Sequence, residues 1–212
     1  YFIVGSPSAE PSHKEFFYYN RAYLLTRQAG VIGKYDKVHL VPFGEYVPLK
    51  RWLPFLDKMV AQVGDFKAGR QGNTLMWKEH PIGMLICYEV IFPELARAMT
   101  QNGAQLLVNI TNDAWFGRTS AAYQHFSMAV FRAVENHRFL VRSANTGISG
   151  FIDPCGRVLA TTALYEDAAL TADIALLSGR TLYSRWGDYP LVALCALLVV
   201  LCVVRRRKHL VN

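Results

Sequence analysis

The feature that most constrains how this chain folds is an uncharged run near its C-terminus. Residues 190–204 (PLVALCALLVVLCVV) carry no charge, and four consecutive cations, residues 205–208, follow directly. Counted from Trp186, the run reaches the length of about 20 mostly apolar residues that a membrane-spanning helix requires. Cations concentrate where such a helix emerges into the cytoplasm. The sequence therefore predicts a transmembrane helix over residues 186–204 and a basic tail over residues 205–212.

The charge asymmetry around this run also predicts an orientation. It places the tail in the cytoplasm and residues 1–185 across the membrane, which in a bacterium is the periplasmic side of the inner (plasma) membrane. A helix buried in a protein core is the alternative interpretation of the apolar run. The cations that follow the run directly favour the membrane.

The net charge of +7 does not indicate a nucleic-acid partner. Four of the 23 basic residues lie in the tail, and the remaining 19 face 16 acidic residues, a balance of +3. The sequence lacks the stripe of basic residues interleaved with aromatic ones that nucleic-acid binding proteins use. The four cysteines have no Cys or His neighbours at zinc-ligand spacing, so we predict neither a metal ion nor a cofactor.

Strand and helix patterns alternate over residues 1–185, which predicts one α/β domain with helices over a sheet. Strands are expected over residues 1–5, 16–26, 30–36, 74–77, 82–86, 105–110, 139–143, 148–153, 157–160 and 170–174. Helices are expected over residues 92–101 and 121–136. The chain opens directly on a strand and without a Met, so we expect the N-terminal part of this domain to be missing.

Cys87 is the sharpest candidate for chemistry, because it stands where a buried strand gives way to a predicted helix. The partial positive charge of a helix N-terminus favours the thiolate, which is the nucleophilic form. A buried structural cysteine is the alternative, and a disulfide with Cys155 is possible in an oxidising compartment. Cys195 and Cys202 lie in the apolar run and are interpreted as small apolar residues.

A second group of candidates lies in residues 33–48 (GKYDKVHLVPFGEYVP). A lysine held in a site, such as Lys37, can stabilise an oxyanion, although a solvated lysine fits the charge pattern too. His39 is a candidate base or a structural histidine. Glu45 and Glu89 are candidates for acid–base work or for positioning the lysine.

Three segments together resemble the nitrilase superfamily in order and spacing. They are residues 33–48, residues 83–93 (GMLICYEVIFP) and residues 109–117 (NITNDAWFG). Residue by residue, these segments resemble the apolipoprotein N-acyltransferase branch of that superfamily. The resemblance covers nearly all of residues 1–185. It implies an αββα sandwich, here partial because its N-terminal part is missing, followed by one C-terminal transmembrane helix.

The resemblance also implies roles for individual residues. Cys87 would be the nucleophile and Lys37 the lysine of a Glu–Lys–Cys triad. Supporting positions would be Glu45, Glu89 and Tyr88, and pocket positions would be Asn112, Trp115 and Phe116, the last two of which could equally be core residues. No residue before Lys37 fits the triad glutamate, so we expect this chain alone to be inactive and the full protein to be active.

The implied reaction moves a fatty acyl chain from a membrane phospholipid, through a Cys87 thioester, to the N-terminal amine of diacylglyceryl-cysteine apolipoproteins. Residues 47–63, an apolar irregular stretch, are interpreted as a gate for lipid, or alternatively as a packed cover over the sheet. Two other functions remain open. One is an amidase acting on a small C–N substrate, and the other is a catalytically inactive membrane-anchored binding domain.

Overall fold

The computed structural model describes residues 1–12, 15–28, 30–48 and 65–211, and nine strands within these ranges form two sheets. The first sheet is antiparallel and contains β1 (Phe2–Ser12), β2 (Glu15–Leu25) and β3 (Val31–Asp36). The second sheet follows chain order and contains β4 (Thr74–Trp77), β5 (His80–Ile86), β6 (Leu106–Asn112), β7 (Leu140–Asn145), β8 (Gly150–Ile152) and β9 (Val158–Thr161).

The helices connect and cover the second sheet. They are α1 (Pro93–Gln101), α2 (Ser120–Asn136), α3 (Leu182–Trp186) and α4 (Tyr189–Val211). Strands β5, β6 and β7 are parallel because α1 and α2 carry the chain back between them. Two short 3₁₀ helices, Cys87–Ile91 and Asp113–Phe116, directly follow the carboxyl ends of β5 and β6. The topology therefore brings these two segments to one edge of the sheet, where ligands bind in parallel α/β folds.

One buried apolar cluster joins the two sheets. Ala22, Leu24 and Tyr35 from the first sheet belong to the same cluster as Leu75 and Met84 from the second, and each is at most 2% exposed. Burial of apolar surface at about 25 cal/mol per Å² is the main favourable term for this contact. The predicted α/β fold is therefore confirmed, with most strands within a few residues of their expected positions.

Two strand predictions are wrong. Residues 170–174 form no strand, although Ile174 packs against the core and the nearby Leu177 N–H donates to the Gln105 carbonyl at 3.0 Å. The apolar pattern there reflects burial beside the sheet without a hydrogen-bonded ladder. The first strand does not end at residue 5, because β1 pairs with β2 along its whole length up to Ser12. Its two prolines are tolerated because β1 is an edge strand.

The C-terminal apolar helix begins later than expected. Trp186 belongs to α3, and Gly187, whose φ is +59°, separates α3 from α4. Among the described residues one helical stretch, Tyr189–Arg206, is long and apolar enough to cross a membrane, with a mean hydropathy of 2.0 and no buried part. The alternative of a buried core helix is not what the structure shows. The helix also continues through the basic residues to Val211.

Gly83 allows α1 to pack closely on the sheet, which leads to a prediction. A methyl group on Gly83 would lie 2.7 Å from Leu107 Cδ2 and 3.3 Å from Met99 Cβ. We expect Gly83→Ala to lower the free energy of unfolding by about 1–3 kcal/mol, because the buried Leu107 side chain must leave its position in a packed core. Thermal unfolding of the purified protein, followed by circular dichroism, measures this change.

Gly179→Ala is the matched control, since no atom lies within 4 Å of a methyl group at that position. We expect it to unfold at the wild-type temperature. Equal stability of the two variants would contradict the packing described for Gly83.

Candidate active site

Cys87 occupies a sharp turn at the end of β5. Its φ of +52° lies in the left-handed region, which is uncommon for a residue with a side chain and costs about 1–3 kcal/mol at a constrained position. The residue is partly buried and is the first of the 3₁₀ helix Cys87–Ile91. The α-helix α1 begins at Pro93, within one residue of its predicted start, so the helix that directly follows β5 at Cys87 is a 3₁₀ helix. The strand-to-turn geometry presents the sulfur.

The carboxylate of Glu89 ties this turn to the loop that follows β3. It accepts hydrogen bonds from the backbone N–H groups of Ile86 at 2.7 Å, Val38 at 2.6 Å and His39 at 3.1 Å. The hydroxyl of Tyr35 donates to it as well, at 3.2 Å from each oxygen. Glu89 is fully buried, so these donors replace water around the carboxylate.

Burial is the largest influence on the pKa of the Glu89 carboxyl. Loss of water raises the pKa of its carboxyl from 4.5 to about 7, although the three backbone N–H groups and the charge of Lys37 act in the opposite direction. With both oxygens occupied by donors, this carboxyl holds segments of the chain together. It is placed to support the site, as the sequence indicates for Glu89, rather than to exchange protons with a substrate.

Lys37 lies next to the same carboxylate and is held by Glu45. The lysine is 1% exposed, and its Nζ donates to Glu45 Oε2 at 2.8 Å. The Glu45 carboxylate also accepts from Val41 N–H at 2.8 Å and from the side-chain amide of Asn20 at 2.6 Å. The ammonium group is therefore fixed in position and has its counter-charge. Asn20 was not predicted, and its signal is a polar residue within the aromatic strand β2.

Lys37 and Cys87 are brought to one place by Glu89. Each is the sequence neighbour of a residue, Val38 or Ile86, whose N–H binds that carboxylate. Two residues 50 positions apart are thus each one residue from a shared anchor. The shared carboxylate therefore brings together the two chain segments that carry the predicted catalytic residues.

A second buried network lies under Cys87 and was not predicted. Asp113 accepts from Arg142 Nη2 at 2.6 Å and from the Thr111 hydroxyl at 2.8 Å, and it lies 3.0 Å from His125 Nδ1. The other ring nitrogen of His125, Nε2, is 3.3 Å from the Cys87 carbonyl oxygen. The network has four polar residues, each at most 9% exposed: Thr111, Asp113, His125 and Arg142.

The charges in this network compensate one another. Burial acts to raise the pKa of the Asp113 carboxyl, but its contact with His125 and the charge of Arg142 outweigh burial and hold that pKa below its usual value. Burial lowers the pKa of Arg142, and Asp113 opposes this shift. The sequence signal for the network is weak, because Asp113, His125 and Arg142 lie on three different elements with no local spacing between them.

The other predicted site residues have diverse surroundings. Trp115 is 89% exposed, so the alternative of a core residue is wrong for it, whereas the Phe116 ring packs edge-on against His125 with centroids 5.3 Å apart. Asn112 is exposed and accepts from Ala114 N–H at 3.2 Å. Tyr88 packs edge-on against Phe92 at 5.1 Å between centroids.

His39 stacks on the Phe92 ring, with centroids 3.6 Å apart. This contact favours the structural interpretation of His39 over a role as base. Cys155 is exposed, and it and Cys87 are both free thiols here. Among the described residues, no three His, Cys, Asp or Glu side chains are grouped so as to hold a metal ion. Residues 49–64, which include most of the proposed lipid gate, lie outside the described part of the chain.

An apolar cavity of about 370 Å³ opens elsewhere, between the start of β1 and the second sheet. Its walls include Phe2, Leu24, Trp77 and Ile174. None of the residues placed at the site above lines it. The cavity therefore does not identify the substrate pocket.

Comparison with known sequences adds the family. The Carbon-nitrogen hydrolase family model matches residues 1–182. An apolipoprotein N-acyltransferase from Geobacter metallireducens is 49% identical over 209 residues, covering 98% of this chain and 40% of that protein. One from Methylococcus capsulatus is 41% identical over 209 residues, with the same two coverages. The chain thus spans about 40% of the length of these curated relatives.

Solved structures support the fold. Nit3 of Saccharomyces cerevisiae, a member of branch 10 of the nitrilase superfamily, matches with a TM-score of 0.56 and 23% identity, covering 77% of this chain and 56% of that chain. A mutant amidase from Nesterenkonia sp. AN1, with the acetamide moiety of fluoroacetamide added at its active site cysteine, matches with a TM-score of 0.52 and 25% identity, covering 76% and 56%. The prediction of a nitrilase-like α/β fold is confirmed.

The raised pKa of Glu89 predicts a pH-dependent stability. Because the fold favours the protonated form, the contribution of this group is fully present below pH 4.5 and is lost as pH rises through about 7. The shift corresponds to roughly 3 kcal/mol. Glu89→Gln cannot titrate, so we expect the difference in unfolding free energy between wild type and this variant to narrow from pH 4.5 to pH 8.

Thermal unfolding at several pH values measures this difference. Glu94→Gln makes the same exchange at an exposed residue in the first turn of α1 and should keep the wild-type pH dependence. A difference between wild type and Glu89→Gln that stays constant over this range would contradict the raised pKa.

Proposed function

Because the chain belongs to the carbon-nitrogen hydrolase family, we propose that it forms part of an acyltransferase in which Cys87 is the nucleophile and Lys37 stabilises the oxyanion. The observation that carries the proposal is the shared Glu89 carboxylate, which joins the Cys87 turn to the Lys37 loop. The left-handed turn at Cys87 and the buried ammonium held by Glu45 support the two roles.

The proposed substrates are lipids. A fatty acyl chain leaves a membrane phospholipid and is transferred to the N-terminal amine of diacylglyceryl-cysteine apolipoproteins. The names of the relatives at 49% and 41% identity and the apolar helix Tyr189–Arg206 support this choice. Both substrates stay in the bilayer, which avoids a cost of about 0.8 kcal/mol for each methylene transferred to water. Residues 1–185 would face the periplasm and the C-terminus the cytoplasm of the inner membrane.

The proposed reaction has two halves. A base removes the Cys87 thiol proton, and the thiolate attacks the ester carbonyl while Lys37 and a backbone N–H hold the oxyanion. The carbon–oxygen bond breaks, the lyso-phospholipid leaves with a proton, and a thioester remains. The amine of the acceptor then attacks the thioester, loses its proton to the base, and releases Cys87 as the amide forms. Trp115 and Phe116 would contact the acyl chain, and Asn112 would line the same loop.

The base is proposed to lie outside these 212 residues. Both oxygens of Glu89 are occupied by four donors, and those of Glu45 by Lys37, Val41 and Asn20. Glu89 therefore has no free acceptor site, and protonation of Glu45 would weaken its ion pair with Lys37, which positions the site. A carboxylate from elsewhere in the full-length protein would take this role.

The thioester gives the decisive test. We expect full-length protein purified from membranes to carry a fatty-acyl mass increment, measured by intact-mass spectrometry, that hydroxylamine removes. Cys87→Ser should lack a hydroxylamine-sensitive adduct, and Cys155→Ser, which changes an exposed thiol, should keep it. If wild type carries no adduct even after incubation with phospholipid, the lipid donor is wrong, and small amides become the substrates to test. No reaction with either would favour the inactive binding domain.

The proposed location of the base predicts the behaviour of the isolated chain. We expect the 212-residue chain, expressed alone in membranes, to form no thioester with phospholipid under conditions where the full-length protein does. The same intact-mass measurement applies, and circular dichroism of both proteins checks that the shorter one is folded. A thioester on the folded shorter chain would mean that a described carboxylate, with Glu45 the first candidate, is the base.

A further inference from the structure

The buried network of Asp113, His125 and Arg142 touches the nucleophile residue but has no part in the reaction proposed above. It reaches Cys87 through the backbone, since His125 Nε2 lies 3.3 Å from the Cys87 carbonyl oxygen. His125 is 4% exposed on the inner face of α2. A buried histidine aimed at the main chain of a strained turn is placed to control the shape of that turn.

Geometry restricts the protonation of His125. The Cys87 carbonyl oxygen can only accept, so Nε2 must carry a proton. Nδ1 lies 3.0 Å from Asp113 Oδ1 and 3.0 Å from Arg142 Nη2. Whether Nδ1 donates to the carboxylate or accepts from the guanidinium, the proton on Nε2 remains. The Cys87 carbonyl therefore has its donor in either hydrogen-bond arrangement of Nδ1.

The imidazole is itself held firmly. Arg142 donates to Asp113 Oδ2 at 2.6 Å, to the Asn109 side-chain oxygen, and to the Ile148 carbonyl at 3.1 Å. Asn109 in turn donates to the Leu85 carbonyl at 2.9 Å, within β5. The network is thus built into the central strands, so its histidine cannot follow the turn if the turn moves.

The position of the Cys87 carbonyl decides where the next N–H points. The Cys87–Tyr88 peptide bond is trans, and a trans peptide directs its C=O and N–H to opposite sides. A carbonyl held toward the buried His125 therefore directs the Tyr88 N–H away from the network. A rotated peptide would instead present a carbonyl oxygen to the reacting group, which would repel an oxyanion.

We infer that His125 is a positioning residue that fixes the Cys87–Tyr88 peptide so that the Tyr88 N–H serves, with Lys37, as the oxyanion donor. The inference rests on the proposed function, because it assigns the backbone N–H of that mechanism. Asp113 and Arg142 act one step further back by fixing the imidazole.

Two amide variants separate this role from simple packing. The amide nitrogen of glutamine can reach the place of Nε2, so His125→Gln keeps a donor for the Cys87 carbonyl. The amide of asparagine reaches only the place of Nδ1, so His125→Asn keeps the contact with Asp113 and loses that donor. Both remove the ring, so a loss of stability alone would affect both. His137→Asn makes the same exchange at an exposed residue beyond α2 and is the control.

Acylation of the full-length protein is measured with phospholipid, by intact mass, and with a p-nitrophenyl ester, by release of p-nitrophenolate. We expect His125→Asn to lower the maximal acylation rate about 100-fold, as misplaced catalytic geometry does, with an unchanged half-saturating concentration. His125→Gln should stay within about fivefold of wild type, because one hydrogen bond is kept. Alkylation of Cys87 by iodoacetamide forms no oxyanion and should proceed at similar rates in all variants.

Equal acylation rates for the asparagine and glutamine variants would overturn the inference. So would a parallel loss of alkylation, since the sulfur itself would then have moved. If wild type reacts with the p-nitrophenyl ester but not with phospholipid, the lipid donor fails, and the ratio of the two variants still tests His125. If wild type reacts with neither, the nucleophile assignment and the role of His125 fail together.

Discussion

The site depends on one buried carboxylate. Glu89 has no exposed surface, and burial of an ionisable group without partners would cost several kcal/mol. Three backbone N–H groups and one hydroxyl from two distant segments meet that need at 2.6–3.2 Å. The dependence is mutual, because the N–H groups after β3 and at the end of β5 find this acceptor in place of water. The Lys37 loop and the Cys87 turn therefore keep one relative position.

A second anchor acts on the same turn from the other side. Glu89 binds the N–H of Ile86, immediately before Cys87, and His125 faces the carbonyl of Cys87 itself. The left-handed residue is thus held at both ends by buried side chains from different elements. Strained conformations of this kind persist only where the surroundings over-determine them. The two networks supply that over-determination through the backbone groups of Ile86 and Cys87.

The sequence predicts elements better than it predicts these networks. The segments ending at Ile86 and Asn112 were recognisable because apolar runs give way to polar turns. The helix predicted over residues 92–101 is α1, but the 3₁₀ helix between Cys87 and Ile91 was not predicted. A propensity pattern cannot reveal a single turn whose shape depends on contacts 50 residues away.

The candidate site shows the same limit. Cys87, Lys37, Glu45 and Glu89 stand in segments whose residue order is distinctive, so they could be named from the sequence. Asn20, His125 and Arg142 lie outside those segments and act through tertiary contacts. Asp113 lies inside a recognised segment, yet its role appears only when β7 places a guanidinium against it. Polar partners of this kind can be identified only in the folded structure, because they lie far apart in the sequence.

The helix α2 links this site to the apolar C-terminal helix. It contacts the nucleophile turn through His125, and ten residues later the Glu135 carbonyl accepts from the Thr181 hydroxyl at 2.5 Å. Thr181 also caps α3, whose Ser184 carbonyl accepts from Gln101 at 2.8 Å, and α4 begins within a few residues. At 1.5 Å per residue the two contacts on α2 lie about 15 Å apart. One helix therefore contacts both the Cys87 turn and the segment that precedes the apolar helix. In the proposed acyltransferase, α4 would enter the bilayer, and this connection would keep the site near it, which would suit a substrate whose acyl chain is costly to expose to water.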